Sequence, residues 1–110
     1  MRPLLDENLP KKLKIHFPEH EIYTVSDRGW KRIKNGELLK LLIANEFDAL
    51  MTFDKNMQYQ QNFSKYSITV FVLVAKINTY SVLVNLIHQI KEYLTTEKLK
   101  EGKPIIISEL

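Results

Sequence analysis

The stretch SITVFVLVA, from Ser67 to Ala75, decides the fold. It is an almost unbroken run of apolar, β-branched and aromatic residues, shorter than an ordinary core helix and without the polar alternation of a half-solvated strand. A strand that is apolar on both faces needs cover on both faces, which is the condition of a parallel sheet between helical layers.

Working outward, DALMTF (Asp48 to Phe53) predicts a third strand ending at Asp54, and RPLL (Arg2 to Leu5) a first strand ending at Asp6. HEIYTV (His20 to Val25) alternates apolar and polar and predicts the second. KPIIIS (Lys103 to Ser108) predicts a last strand, where Lys103 and Pro104 suit a sheet edge.

Between the strands the period changes to that of helices. After Asp6, either Asp6 or Asn8 is a suitable cap and Pro10 suits a first turn, with Leu9, Leu13 and Ile15 to Phe17 inward and Pro18 as a stop. Ser26 to Asn35 reads as a loop. Gly36 and Glu37 open ELLKLLIANEF, with Leu38, Leu41, Leu42 and Phe47 near helical spacing. KNMQYQQNF is a short helix or turn, and YSVLVNLIHQIKEYLTTEKL the longest helix, with Val82, Leu83, Leu86, Ile87, Ile90 and Leu94 inward. The alternation predicts a single three-layer α/β/α domain over residues 1–110, with a mainly parallel five-stranded sheet.

Composition narrows the function. The 110 residues include no cysteine, which excludes disulfides and thiolate zinc sites and makes a reducing, cytoplasmic setting the expectation. No apolar run is long enough for a signal peptide or a membrane span. The net charge of +3 is mild, but four cations (Arg28, Lys31, Arg32 and Lys34) crowd into seven residues around Trp30, and Lys11, Lys12 and Lys14 form a second group. A basic loop with an aromatic has the composition of a nucleic-acid track. The plainer reading has Trp30 packing on the core edge and the cations solvated; we favour that for Trp30 and the nucleic-acid role for the cations. His16, His20 and His88 fit no zinc or catalytic spacing.

In open α/β sheets, sites lie beyond the carboxyl ends of the strands. Asp6 and Asp54 each follow a strand, and Glu37 opens the helix leading into the third, so the three carboxylates are expected at one edge. Gathered acids repel one another, and oxygen-only ligands select a hard divalent cation such as Mg²⁺ or Mn²⁺. The plainer reading makes each acid a cap or a first-turn residue.

At these residues the chain resembles the PIN-like domain family of DUF5615 type, related to Mut7-C and VapC-type toxin nucleases. The resemblance rests on LLDENLP (Leu4 to Pro10), NGELLKLLIANEFDALMTFDKNM (Asn35 to Met57) and the apolar strand ITVFVLV. It implies the strand order 3-2-1-4-5 and metal-dependent hydrolysis of RNA by an endoribonuclease, often the toxin of a toxin–antitoxin pair. Position by position, Asp6, Glu37 and Asp54 match the metal-binding acids. Asn56 stands where the family has a further aspartate and is carried over as a fourth metal-site residue, whose amide oxygen can ligate the ion but adds no charge. Asn8 matches a position suited to orienting a carboxylate, with helix capping as its plainer role. Gln58, Gln60, Gln61 and Asn62 form an amide cluster that reads as a polar helix face. The expected partners are RNA, an antitoxin protein and a second copy of the chain, with no membrane. An RNA- or antitoxin-binding module without the reaction is the alternative. A phosphoacceptor receiver is a third reading, since Asp6, Glu7 and Asp54 are compatibly spaced, although no lysine follows the last strand.

Overall fold

The computed structural model describes residues 2–33, 35–54, 68–95 and 104–108. Strands β1 (Pro3–Leu5), β2 (Tyr23–Thr24), β3 (Ala49–Thr52), β4 (Thr69–Val74) and β5 (Pro104–Ser108) form one sheet. Every pairing is parallel. Leu4 lies opposite Leu50 and Leu50 opposite Val70, so apolar positions line up across the sheet.

The order is 2-1-3-4-5, which corrects the 3-2-1-4-5 implied by the resemblance. The cause is a reversal at β1. The chain leaves β1 over one face of the sheet, through a 3₁₀ helix (Lys11–His16) that buries Leu13 against Leu5, Met51 and Leu73. It returns from β2 over the opposite face through α1 (Val25–Arg28) and α2 (Asn35–Ala44), where Val25, Leu38, Leu39 and Leu42 pack on Leu4, Leu50 and Val72. β3 therefore lands on the far side of β1 from β2. The crevice between β1 and β3 is a topological switch point.

After β4, helix α3 (Tyr80–Leu83), a 3₁₀ turn (Val84–Leu86) and α4 (Ile87–Thr95) occupy the expected long helix. Leu83, Leu86, Ile87, Ile90 and Leu94 join the first of the two cores. This β4-to-β5 connection thus crosses the same face as the β1-to-β2 connection while moving in the opposite direction. Its hand is opposite, a departure from the usual uniform right-handedness of such crossovers.

Three local expectations change. Asp6 and Asn8 do not cap the 3₁₀ helix, whose N-cap is Pro10 without a side-chain hydrogen bond. Ile15 is 70% exposed, because the tighter three-residue repeat turns it away while keeping Leu13 inward. Val25 to Arg28, expected as strand end and loop, forms one helical turn. Thr24 and Asp27 close a capping box around it and Gly29, at φ 71°, ends it. Trp30 packs on the second core as expected, with its ring edge-on to Phe47 at 5.8 Å. KNMQYQQNF lies outside the described residues. Among the described residues no helix is long and apolar enough to cross a membrane.

Candidate metal centre

The last residue of β3, Thr52, is fully buried, and it organises the carboxyl edge. Its hydroxyl donates to Asp6 Oδ2 at 2.7 Å. It accepts from the Asp54 backbone N–H at 3.1 Å and from Asn8 Nδ2 at 3.3 Å. One donor and two acceptor sites are all that a hydroxyl has, so Thr52 is saturated and its proton is committed to Asp6.

Asp6 continues the β1–β3 ladder, its N–H donating to the Met51 carbonyl at 2.9 Å. Asp6 as a whole is only 8% exposed. Its Oδ1 accepts the Glu7 backbone N–H at 2.8 Å. Burial raises its pKa above the ordinary carboxylate value. The Thr52 hydroxyl and the Glu7 N–H pull the other way, and the neighbouring Glu7 and Asp54 carboxylates push it up further. Asp6 and Asp54 are therefore close enough to repel, as expected from adjacent strand ends.

Asn8 ties this edge together. Its Oδ1 accepts the Phe53 N–H at 3.1 Å, and its backbone carbonyl accepts from Asn78 Nδ2 in the loop after β4. Asn8 does not touch the Asp6 carboxylate; its side chain reaches the Thr52 hydroxyl, which does. Glu7 accepts the Arg32 backbone N–H, at 3.2 and 3.3 Å to its two oxygens. This holds Arg32 in the left-handed region at φ 65° and pins the basic loop beside the acids.

Glu37 stands apart. Leu38, Leu39 and Leu42 take the inward face of α2, which turns Glu37 outward, 3.7 Å from Lys40 with a 70% exposed side chain. Among the described residues no group of three His, Cys, Asp or Glu side chains lies close enough to hold a metal ion. Asn56 and Lys34 lie outside the described residues, as does the amide cluster of Gln58, Gln60, Gln61 and Asn62.

The donor set still suits a hard cation. Each Asp6 oxygen has a lone pair left after its one hydrogen bond. Mg²⁺ is commonly held through one or two carboxylates, with water in its remaining positions. The repulsion of Asp6 by Glu7 and Asp54 is what such an ion would relieve.

Of the basic loop, Lys31 and Arg32 are exposed, whereas Arg28 is engaged. Its guanidinium donates to Asn45 Oδ1 at 3.0 Å and lies 4.9 Å from the Trp30 ring centroid. Sequence reading overlooked Thr52 as a site residue; its signal was a β-branched hydroxyl at the strand end two residues before Asp54. Compared with protein-family models, curated proteins and solved structures, the chain matches none.

Proposed function

We propose that this chain is a metal-dependent ribonuclease of PIN-like type, with Asp6 and Asp54 as the residues that hold Mg²⁺ or Mn²⁺. The observation that carries the reading is the buried Asp6 carboxylate, fixed by Thr52 and set beside Asp54 at the β1/β3 switch point. A bound divalent ion would polarise a phosphodiester and lower the pKa of a water at the strand ends. Thr52 and the Glu7 N–H orient Asp6, Asn8 holds the β3 end in register, and Lys31 and Arg32 offset backbone charge. The PIN-like resemblance of the sequence is what narrows the phosphodiester to RNA. Glu37 enters on that resemblance alone, as an outer acid.

The test is cleavage of a labelled RNA with Mn²⁺ or Mg²⁺. Asp6→Asn and Asp54→Asn should each abolish it, and Glu37→Gln should reduce it less. Equal cleavage by wild type and Asp6→Asn would remove the metal site from the mechanism. RNA binding without cleavage by wild type would leave the binding-module alternative.

One observation favours the receiver reading: the order 2-1-3-4-5 is that of flavodoxin-like folds. Asp6 and Glu7 would then hold a cation beside Asp54, the phosphoacceptor. Labelling of Asp54 by a small phosphoryl donor, without RNA cleavage, would select it.

A further inference from the structure

We propose that Lys11 and Lys12 form a second phosphate-binding flank, so that a single RNA strand crosses the acidic edge with backbone contacts on both sides. The inference rests on the ribonuclease reading and adds the path of the substrate.

The chain turns immediately after Asp6, where the Leu9 N–H donates to the Asp6 carbonyl at 3.1 Å, and Pro10 then leads into the 3₁₀ helix. Lys11 and Lys12 therefore project from the first turn of an element that starts at the acids. The bond from Asn78 to the Asn8 carbonyl draws the loop before α3 against the same turn. It brings Tyr80 alongside: Tyr80 Oη lies 2.6 Å from His16 Nε2, and the two rings are 5.7 Å apart. The Tyr80 ring, held by His16, underlies the Lys12 ammonium at 5.9 Å from the ring centroid. Lys14, two positions further on, is spent on Asp27 at 2.9 Å. Lys11 and Lys12 are both exposed and have no ion pair among the described residues.

The other flank belongs to Lys31 and Arg32, which Glu7 fixes through the Arg32 N–H. The 3₁₀ helix packs on one face of the sheet and the Trp30–Ile33 segment on the other. The acids lie at the sheet edge between them. The surface thus reads positive, acidic, positive across one edge. An acidic peptide matches the flanks but is repelled by the centre, and an isolated phosphate needs only one flank. A polymer of phosphodiesters suits all three zones once a cation occupies the middle. Asp6 is only 8% exposed, so the central phosphate must enter a recess, which a flexible single strand does more readily than a stiff duplex.

The experiment is fluorescence anisotropy of a labelled single-stranded RNA with cleavage-resistant phosphorothioate linkages, with the full chain at a fixed Mn²⁺ concentration that fills the acidic centre, across a monovalent salt series. Cleavage is then suppressed and binding is read alone. Each phosphate contact on a single strand contributes about 0.7 to the slope of log affinity against log salt. Lys11→Gln/Lys12→Gln should lower the slope by about 1.4, and Lys12→Arg should keep it. Lys40→Gln, which removes a charge on α2, should leave it unchanged. An unchanged slope in the double variant overturns the proposal. So does equal loss per charge in Lys40→Gln, no RNA binding by wild type, or tighter binding of duplex RNA or anionic phosphatidylserine vesicles than of single-stranded RNA. Loss of slope with no Mn²⁺-dependent cleavage would retain the flank and refute the ribonuclease reading, so the two failures are distinct.

Discussion

Replacing Thr52 by valine removes one hydroxyl and preserves shape, which isolates what that hydroxyl does. Thr52 is fully buried and its proton points at a carboxylate that is itself buried. A hydrogen bond to a charged group contributes roughly 1.5–3 kcal/mol, and a buried acceptor left without its donor costs a similar amount. The Asp54 N–H and Asn8 Nδ2, in half-exposed settings, can turn to water at small cost. The methyl that replaces the hydroxyl returns up to about 0.8 kcal/mol by burial. The net expectation for Thr52→Val at pH 7 is a loss of about 2 kcal/mol. Thr52→Ser keeps the hydroxyl and loses one buried methyl, about 1 kcal/mol. Urea unfolding in EDTA, at pH 7 and again near pH 3, measures both. The gap between valine and serine should narrow in acid, where Asp6 is protonated and needs the donor less. A valine variant as stable as the serine variant at pH 7, or a gap unaffected by pH, would refute the role assigned to Thr52. Misplacing Asp6 should also weaken Mn²⁺ binding roughly 10- to 100-fold in the valine variant.

Without a cation, the raised pKa of Asp6 means that the folded chain keeps a proton which the unfolded chain releases. Its contribution to stability is complete below the ordinary value of 3.8 and is lost as pH rises through the raised folded value. Wild type in EDTA should therefore lose stability as pH rises through the raised value, and Asp6→Asn should lack that step; thermal melts across pH check this. Asp27 runs the other way. The Thr24 N–H and Lys14 lower its pKa, so its contribution is present above 3.8 and is lost as pH falls through the lowered value. Asp27→Asn should flatten the acid limb of the same melts. Arg28→Ala should cost about 1–2 kcal/mol in denaturant unfolding through the lost Asn45 bond and Trp30 stacking, and Arg28→Lys should recover little of it.

The two-sided burial of β4 was legible in SITVFVLVA, because a run of that composition is stable only when covered on both faces. The placement of Asp6 and Asp54 was legible for the same reason that the strands were: each acid terminates an apolar run. The order of the sheet was not, because which face each crossover takes depends on packing between distant elements. Leu13 and Leu38 decide it jointly, and neither announces it locally. Glu37 was expected among the acids from its position at a helix start, but which way a first-turn side chain points follows from the helix's apolar face. Here Leu38 and Leu39 turn it out to Lys40. Arg28 looked like its basic neighbours in sequence; only the meeting of Trp30, Phe47 and Asn45 gives its guanidinium a structural place.

Titration calorimetry with Mn²⁺ tests the metal centre most directly, on wild type, Asp6→Asn and Asp54→Asn. The account predicts one ion per chain in wild type, lost in both variants. Thermal melts should show a matching stabilisation of about 2.7 kcal/mol when the ion is at a hundred times its Kd. No binding by wild type, or binding that survives in Asp6→Asn, would contradict it.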